Sequence, residues 1–320
     1  MRPPNQSGIE EGTPDAGLQT RAGIVAVVGP PNAGKSTLVN ALVGQKISIV
    51  TPKVQTTRSR VLGIAMRDLP GGGRSQIVLA DTPGIFATAK RRLERAMVAA
   101  AWSGARDADV LLAVLDSERG LDSDTTAILE RLRDQDRLSV LALNKIDLVK
   151  RDKLLGLAAG ANAIATFQNT YMISAVRNDG LDDLAASLAN MVPESPFLYP
   201  EDQASDVPIR QLAAEIVREQ VFLQLHDELP YEATVATDRW EERDDGSVRI
   251  EQSIVVARES QRKIVLGKDG KRIKTIGTRA RRELSQMFDR PVHLFLHVKV
   301  REGWREDRAH YRALGLDYEP

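Results

Sequence analysis

The run Ile24-Val25-Ala26-Val27-Val28 leads straight into Gly29-Pro30-Pro31-Asn32-Ala33-Gly34-Lys35-Ser36-Thr37. A short β-branched strand enters a glycine-bearing loop, and apolar residues at helical spacing (Leu38, Leu42) leave it. This is the G-x-x-x-x-G-K-[ST] phosphate loop in its strand–loop–helix setting. Gly29 and Gly34 let the backbone curl so that successive N–H groups, through Asn32, Ala33 and on to Thr37, face phosphate oxygens. The helix that begins near Gly34 adds the positive end of its dipole. Lys35 supplies a point charge to the outer phosphates, and the Ser36 hydroxyl is placed to hold Mg²⁺.

Outward from this loop, the chain of 320 residues has room for two domains of ordinary size. Its apolar and charged fractions, 42% and 28%, are those of a globular protein with a sizeable core. The absence of cysteine excludes disulfides, thiolate zinc sites and cysteine nucleophiles, and fits a reducing, cytoplasmic setting. Residues 1–20 are rich in Pro, Gly, Asp and Glu and have no apolar segment, so they read as a mobile tail rather than a signal peptide. No later apolar run approaches the roughly 18 residues of a spanning helix.

After the first helix, which Gly44 can end, comes the weakly periodic stretch from Lys46 to Arg58. A polar connection here is where a nucleotide-sensing loop belongs, with a threonine hydroxyl completing the Mg²⁺ shell when the γ-phosphate is present. Thr57 is the expected residue and Thr56 the alternative. Val61–Ala65 and Gln76–Ala80 read as strands around a glycine-rich turn. The second runs into Asp81-Thr82-Pro83-Gly84, where Asp81 orients the metal and Gly84 brings its N–H against the γ-phosphate. Ile85 follows, where Ras-like GTPases carry the glutamine that orients the attacking water. Hydrolysis is therefore expected to be slow, as suits a switch.

Val110–Asp116 is a further buried strand, between helical stretches near Leu93–Trp102 and Asp122–Leu132. Ser139–Leu143 leads into Asn144-Lys145-Ile146-Asp147, which decides the base. A carboxylate accepts both the N1–H and the exocyclic amine of guanine, whereas adenine has no such donor pair at that edge. Asp147 takes that role, Asn144 can hydrogen-bond the base and brace the loop, and the Lys145 stem covers the ring. The strand Tyr171–Ala175 brings the backbone of Ser174 and Ala175 over the guanine O6. Together these motifs predict an α/β phosphate-loop domain with a mostly parallel sheet over residues 21–192 that binds GTP or GDP with Mg²⁺.

Residues 193–208 begin proline-rich and acidic and read as a semi-rigid linker. Residues 209–320 differ in character: a helix (211–225), a hairpin around Asp244-Asp245-Gly246, a short helix, Gly267-Lys268-Asp269-Gly270, a longer helix, and an alternating strand (292–300). This is an α+β module whose Gly-x-x-Gly loop between two helices is the device by which a KH domain clamps single-stranded nucleic acid. From Arg262 to Arg282 nine lysines or arginines face a single acid, Asp269. In a chain of zero net charge that is a concentrated basic face. Lys263, Gly267, Lys268, Asp269, Gly270, Lys271, Arg272, Lys274 and Arg279 are the candidate RNA-binding residues. Aromatic residues make up only 4%, which argues against base stacking across a sheet. The four histidines (His226, His293, His297, His310) have no metal-binding spacing.

The motifs in this order resemble the Era family of bacterial GTPases. The resemblance rests on the phosphate loop, Gln55-Thr56-Thr57-Arg58, Asp81 to Ile85, Asn144 to Asp147 and Ser174-Ala175. The second half adds His226-Asp227-Glu228-Leu229-Pro230-Tyr231, Arg262 to Gly270, Ile273 to Gly277 and Pro291 to Trp304. It covers nearly everything after Arg21. It implies a GTPase domain joined to a type II KH domain over residues 209–320, which binds the 3′ end of 16S rRNA during assembly of the small (30S) subunit. GTP would favour the RNA-binding arrangement and hydrolysis would release it. The resemblance also implies peripheral contact with the inner membrane, K⁺ coordination by Asn32, and the replacement of the catalytic glutamine by Ile85. A monomer is expected. The competing readings are a phosphotransferase acting on a small metabolite, an RNA-binding adaptor with structural nucleotide, and a peripheral-membrane GTPase.

Overall fold

A computed structural model describes residues 20–319 except 55, 87, 88, 90, 136 and 226–228. The expected N-terminal tail, Gln55 of the sensing loop and His226 therefore lie outside the described residues. The first half builds a six-stranded sheet from β1 (Thr20–Val28), β2 (Val61–Asp68), β3 (Arg74–Asp81), β4 (Val110–Asp116), β5 (Leu138–Asn144) and β6 (Asn169–Met172). Its order is β2-β3-β1-β4-β5-β6, with β2 antiparallel to β3 and the other neighbours parallel. Every residue of β4 is buried, because helices cover both faces of a parallel sheet. Those helices are α1 (Lys35–Val43), α2 (Arg92–Arg106), α3 (Ser123–Arg133), α4 (Arg151–Ile164) and α5 (Leu181–Met191).

Register decides what the strands present at their carboxyl ends. Val27 pairs with Asp81, Val28 with Ala113, and Asp116 with Asn144. The phosphate loop, Asp81-Thr82-Pro83-Gly84, Asp116 and Asn144 therefore emerge side by side along one edge of the sheet. In open α/β sheets ligands bind along that edge.

Residues 193–208 do not hang free between the halves. Pro193 O accepts from Ala22 N (3.0 Å), Ala204 O from Ile64 N (2.8 Å), and Asp206 Oδ1 from Leu62 N (3.1 Å). Gln76 ties the same stretch down through Leu198 and Tyr199. The connector thus starts at β1, passes β3 and lays residues 204–206 along the outer side of β2.

The second half contains α6 (Ile209–Gln224), β7 (Ala233–Glu242), β8 (Val248–Val256), α7 (Glu259–Leu266), α8 (Lys271–Met287), β9 (Val292–Val300) and α9 (Arg308–Ala313). β7 and β8 are antiparallel, and β8 and β9 parallel. Val248, Ile250, Ile254 and Val256 alternate inward against Ile216, Val217, Val221, Ile276, Ala280 and Leu284 of the helices. The succession helix–strand–strand–helix–helix–strand, with β9 parallel to β8, is the type II KH arrangement.

The sequence spacing leaves several features out. α4 has only Leu154 and Ala161 buried, so no apolar stripe marks it. The expected strand Tyr171–Ala175 is shorter and earlier, Asn169–Met172; Ser174 instead makes an isolated antiparallel bridge to Asp179. Beyond β9, residues 304–318 fold back and pack Tyr311 and Leu316 on Leu93, Ala96 and Met97 of α2.

Candidate nucleotide site and nucleic-acid interface

The phosphate loop is shaped by contacts that admit no side chain. A Cβ at Gly29 would lie 2.3 Å from Val114 O, and one at Gly34 2.3 Å from Asn144 Nδ2. Gly34 has φ 90° and hands over directly to α1. Across the cleft a Cβ at Gly84 would sit 2.8 Å from Pro31 Cα, and the next amide, of Ile85, donates to Gly29 O at 3.2 Å. The two phosphate-binding segments are in contact.

Lys35 is buried and donates to Gly29 O (3.1 Å) and Pro30 O (2.9 Å). Burial lowers its pKa to about 8, and the nearby Asp81 carboxylate only partly opposes this. Asp81 is pushed upward by the same burial, against the hydrogen bond from Ser36. Ser36 Oγ lies 2.7 Å from Asp81 Oδ2 and 2.8 Å from Thr57 Oγ1. Asp81 Oδ1 is buried without a partner. Three hard oxygen donors meeting at one point, one with an unmatched carboxylate oxygen, suit a small divalent cation. The Thr56 hydroxyl turns away to Thr51 Oγ1 (2.6 Å) and Lys53 O (2.7 Å). Ile85 is buried with Ala26, Val28 and Trp102 and faces the core rather than the cleft.

On the base side, Asn144 is a brace between loops. Its Nδ2 donates to Ala33 O (2.9 Å), and its Oδ1 accepts from Ala175 N (3.0 Å). Lys145 has φ 63°, and its ammonium lies 2.6 Å from Asp116 Oδ2. Asp147 accepts from the Ser174 hydroxyl at 2.6 Å, and this bond holds its carboxyl below the usual range, ionised and able to accept two donors. Asp116 and the Ser174 hydroxyl were not anticipated; an acid at the carboxyl end of β4 was the available signal for the first. Arg119 was also missed: it spans Pro31 O (3.3 Å) and Asp122. Asn32, Gly34, Lys35, Ser36, Thr57, Gly84, Asp116, Arg119 and Lys145 line an open cleft of about 450 Å³ together with Thr37, Val50, Pro52 and Lys53, whereas Asp81, Asn144, Asp147, Ser174 and Ala175 lie outside its lining. Asn32 is left-handed at φ 63° and donates from Nδ2 to Pro52 O (3.1 Å), tying the phosphate loop to the sensing loop.

The second candidate site centres on Gly267–Gly270. Gly267 has φ 70°, and a Cβ there would lie 2.7 Å from Arg272 Cβ. Asp269 (φ 52°) and Gly270 (φ 71°) complete the turn into α8. Gly267, Lys268, Lys271, Arg272 and Arg279 line one shallow depression, joined by Gln224 and Thr275. Lys263 and Lys274 are exposed outside it, and Asp269 stands at its edge.

A glycine-bounded phosphate cradle, a metal-binding trio and a carboxylate poised for guanine define a guanine-nucleotide-binding P-loop protein, here carrying a KH module. Residues 24–145 match the family model described as a 50S ribosome-binding GTPase, and residues 228–305 match that of a KH domain. The chain is 56% identical over 308 residues to the GTPase Era of Bradyrhizobium diazoefficiens, covering 96% of this chain and 98% of that one. It is 57% identical over 304 residues to that of Agrobacterium fabrum, covering 95% and 94%. Two solved structures superpose with TM-score 0.86 at 36% identity, each covering 94% of this chain and 100% of the other. One is Aquifex aeolicus Era bound to GDP and AlF4⁻; the other is Era with MgGDPNP and nucleotides 1506–1542 of 16S ribosomal RNA. The chain belongs to the Era family of GTPases. It hydrolyses GTP to GDP and phosphate.

Proposed function

We propose that this GTPase binds the single-stranded 3′ end of 16S rRNA through its KH module in small-subunit (30S) assembly, holding it with GTP bound and releasing it after hydrolysis. The reading is carried by one chain presenting both an assembled GTP cleft and an open Gly-x-x-Gly depression lined by four cations. The relative solved with MgGDPNP and a 16S rRNA fragment supports it.

At the cleft, Ser36, Thr57 and Asp81, already gathered at one point, would hold Mg²⁺. Bound there, the ion would supply positive charge against that developing on the β- and γ-phosphate oxygens while water oxygen bonds to the γ-phosphorus and GDP leaves. The phosphate-loop amides of Gly29 and Asn32 to Thr37 and the Lys35 ammonium hold those phosphates, and the Gly84 amide meets the γ-phosphate. Asn144, Lys145, Asp147, Ser174 and Ala175 form the guanine pocket. With Ile85 turned into the core, hydrolysis is slow unless another group orients the water. Asn32, beside the Pro52 carbonyl, is the site for K⁺, and faster hydrolysis in K⁺ than in Na⁺ would follow. Residues 21–192 and 209–320 act as the two units, with 193–208 between them.

The test is the affinity of a short single-stranded RNA matching the 16S 3′ end, with a GTP analogue and then with GDP. Tight binding with the analogue and weaker binding with GDP is expected. Equal affinities would overturn the gating, and no binding in either state would overturn the RNA reading. Among the described residues no helix is long and apolar enough to cross a membrane. Peripheral inner-membrane contact is checked by vesicle flotation, and the monomeric state by sedimentation.

A further inference from the structure

Residues 301–318, beyond β9, touch α2 of the GTPase domain and Glu232, the residue that Gln261 of α7 bonds to. On one side they grip α2, the helix that follows Asp81-Thr82-Pro83-Gly84. Tyr311 and Leu316 are buried against Leu93, Ala96 and Met97. The Arg92 guanidinium stacks on the Tyr318 ring (4.4 Å to its centroid) and pairs with Glu306 (3.2 Å). Arg308 lies over the same ring at 5.0 Å.

On the other side, Arg305 pairs with Glu232 at 2.5 Å, and Glu232 accepts a hydrogen bond from Gln261 Nε2. Gln261 Oε1 in turn accepts from the amides of Ala257 (2.9 Å) and Arg258 (3.0 Å), which fixes the start of α7. α7 is eight residues long and is C-capped by Gly267, so one short helix joins the Gln261 anchor to the clamp loop. Just upstream of Glu232, Arg58 donates to Tyr231 O (3.2 Å), and just downstream it donates to Ala233 O (3.0 Å). Arg58 directly follows the metal-facing Thr57, and it is buried at 2% exposure. His310 packs edge-on to Trp304 beside Arg58 and Arg218.

We propose that residues 304–318 are a strap that transmits the state of the nucleotide site to the RNA loop, by docking on α2 while holding Glu232 and, through Gln261, the α7–Gly267 unit. The inference rests on nucleotide-gated RNA binding. A strap that contacts α2 and the α7 anchor at once gives a discrete element whose docking both sites bias, which physical coupling requires. When γ-phosphate loss lets α2 shift, Tyr311 and Leu316 lose their seat and Arg305 withdraws from Glu232. The Gly267 loop then loosens. Tyr311 and Arg305 are positioning residues: neither lines the nucleotide cleft or the basic depression.

The experiment uses the full chain, wild type and the variants Tyr311→Ala and Arg305→Ala, with a short single-stranded RNA of the 16S 3′ end. The readout is the ratio of RNA affinity with GTP analogue to that with GDP, alongside GDP affinity and the thermal midpoint. The wild-type ratio should fall to about one in Tyr311→Ala and partway in Arg305→Ala, with GDP affinity unchanged. Arg305→Ala removes no apolar contact on α2 and keeps the test standing should Tyr311→Ala fail to fold. Variants that keep the wild-type ratio would overturn the strap alone. So would an equal loss of RNA affinity in both nucleotide states, which would mark a purely structural segment. Equal affinities in the wild type would overturn gating and strap together.

Discussion

The phosphate loop and the Gly267–Gly270 loop are two answers to one problem. Each is a glycine turn delivering backbone amides and a cation at the start of a helix. They differ in solvent. Lys35 is shut in, bonded to Gly29 O and Pro30 O, and its charge is so poorly solvated that its pKa falls to about 8. Lys268 and Lys271 are exposed on the rim of an open depression. The closed loop holds a compact triphosphate with fixed stereochemistry through short, desolvated contacts. The open one suits a polymer backbone met through screened charge. Depth, more than sequence pattern, separates the two.

Breaking each side separately is the most demanding check. Lys35→Ala should lower GTP affinity by 100-fold or more, on the order of 3 kcal/mol, since the β/γ-phosphates lose their one buried counter-charge. GDP-state RNA affinity should change less than about twofold. Gly267→Asp should do the converse. The new side chain collides with Arg272 and forces a strained φ of 70°, and its charge repels phosphate. RNA affinity should fall more than about tenfold in filter binding, with GTP affinity unchanged.

Solution conditions sharpen the contrast with smaller effects. Lys35 is protonated in the phosphate-free protein below about pH 8 and is lost as a cation above it. Nucleotide affinity should therefore hold steady from pH 6 to 8 and decline above 8, at most about tenfold per unit, with proton uptake on binding in calorimetry. In the nucleotide-free protein the sign for folding is opposite. The unfolded chain binds more protons between about 8 and 10.5, so Lys35 adds to stability as pH rises through that window. RNA affinity, by contrast, should follow salt, with a log–log slope near −0.7 per neutralised phosphate. The smallest effect is expected at Lys263→Ala, which lies outside the depression. A loss below about twofold there, against larger losses at Lys271→Ala, would confine the binding track to the lined groove.

Legibility in the sequence followed the same division. The phosphate side was readable because its chemistry demands particular residues at fixed spacing, from Gly29 to Thr37 and Asn144 to Asp147. Thr57 was separable from Thr56 only by geometry, since adjacent residues point apart and spacing cannot say which one meets Ser36. In the KH module the alternation of β9 and the cluster of cations were plain. Which cations share a groove was not, and Lys263 and Lys274 stand apart from it. Contacts between distant segments left no periodic imprint. Lys46 reaching Glu219 and Glu283, Arg58 reaching Ala233, and the 304–318 segment lying on α2 are single long-range meetings, which a local pattern cannot encode. α4 escaped for a different reason: half-exposed and rich in alanine, it has helix propensity without a stripe.

The connector laid against β2 also bears on how the molecule is made. β2 is the edge of the six-stranded sheet. On its outer side the backbone of Leu62 and Ile64 bonds to Ala204, Ser205 and Asp206. An unpaired strand edge invites pairing with other chains. During synthesis the GTPase domain is thus made with its β2 edge raw, and the chain that seals that edge is the first stretch to emerge afterwards. A nascent chain halted after Val192 would carry a finished nucleotide pocket and an adhesive margin. One halted after Val207 would carry the same pocket with the margin hemmed.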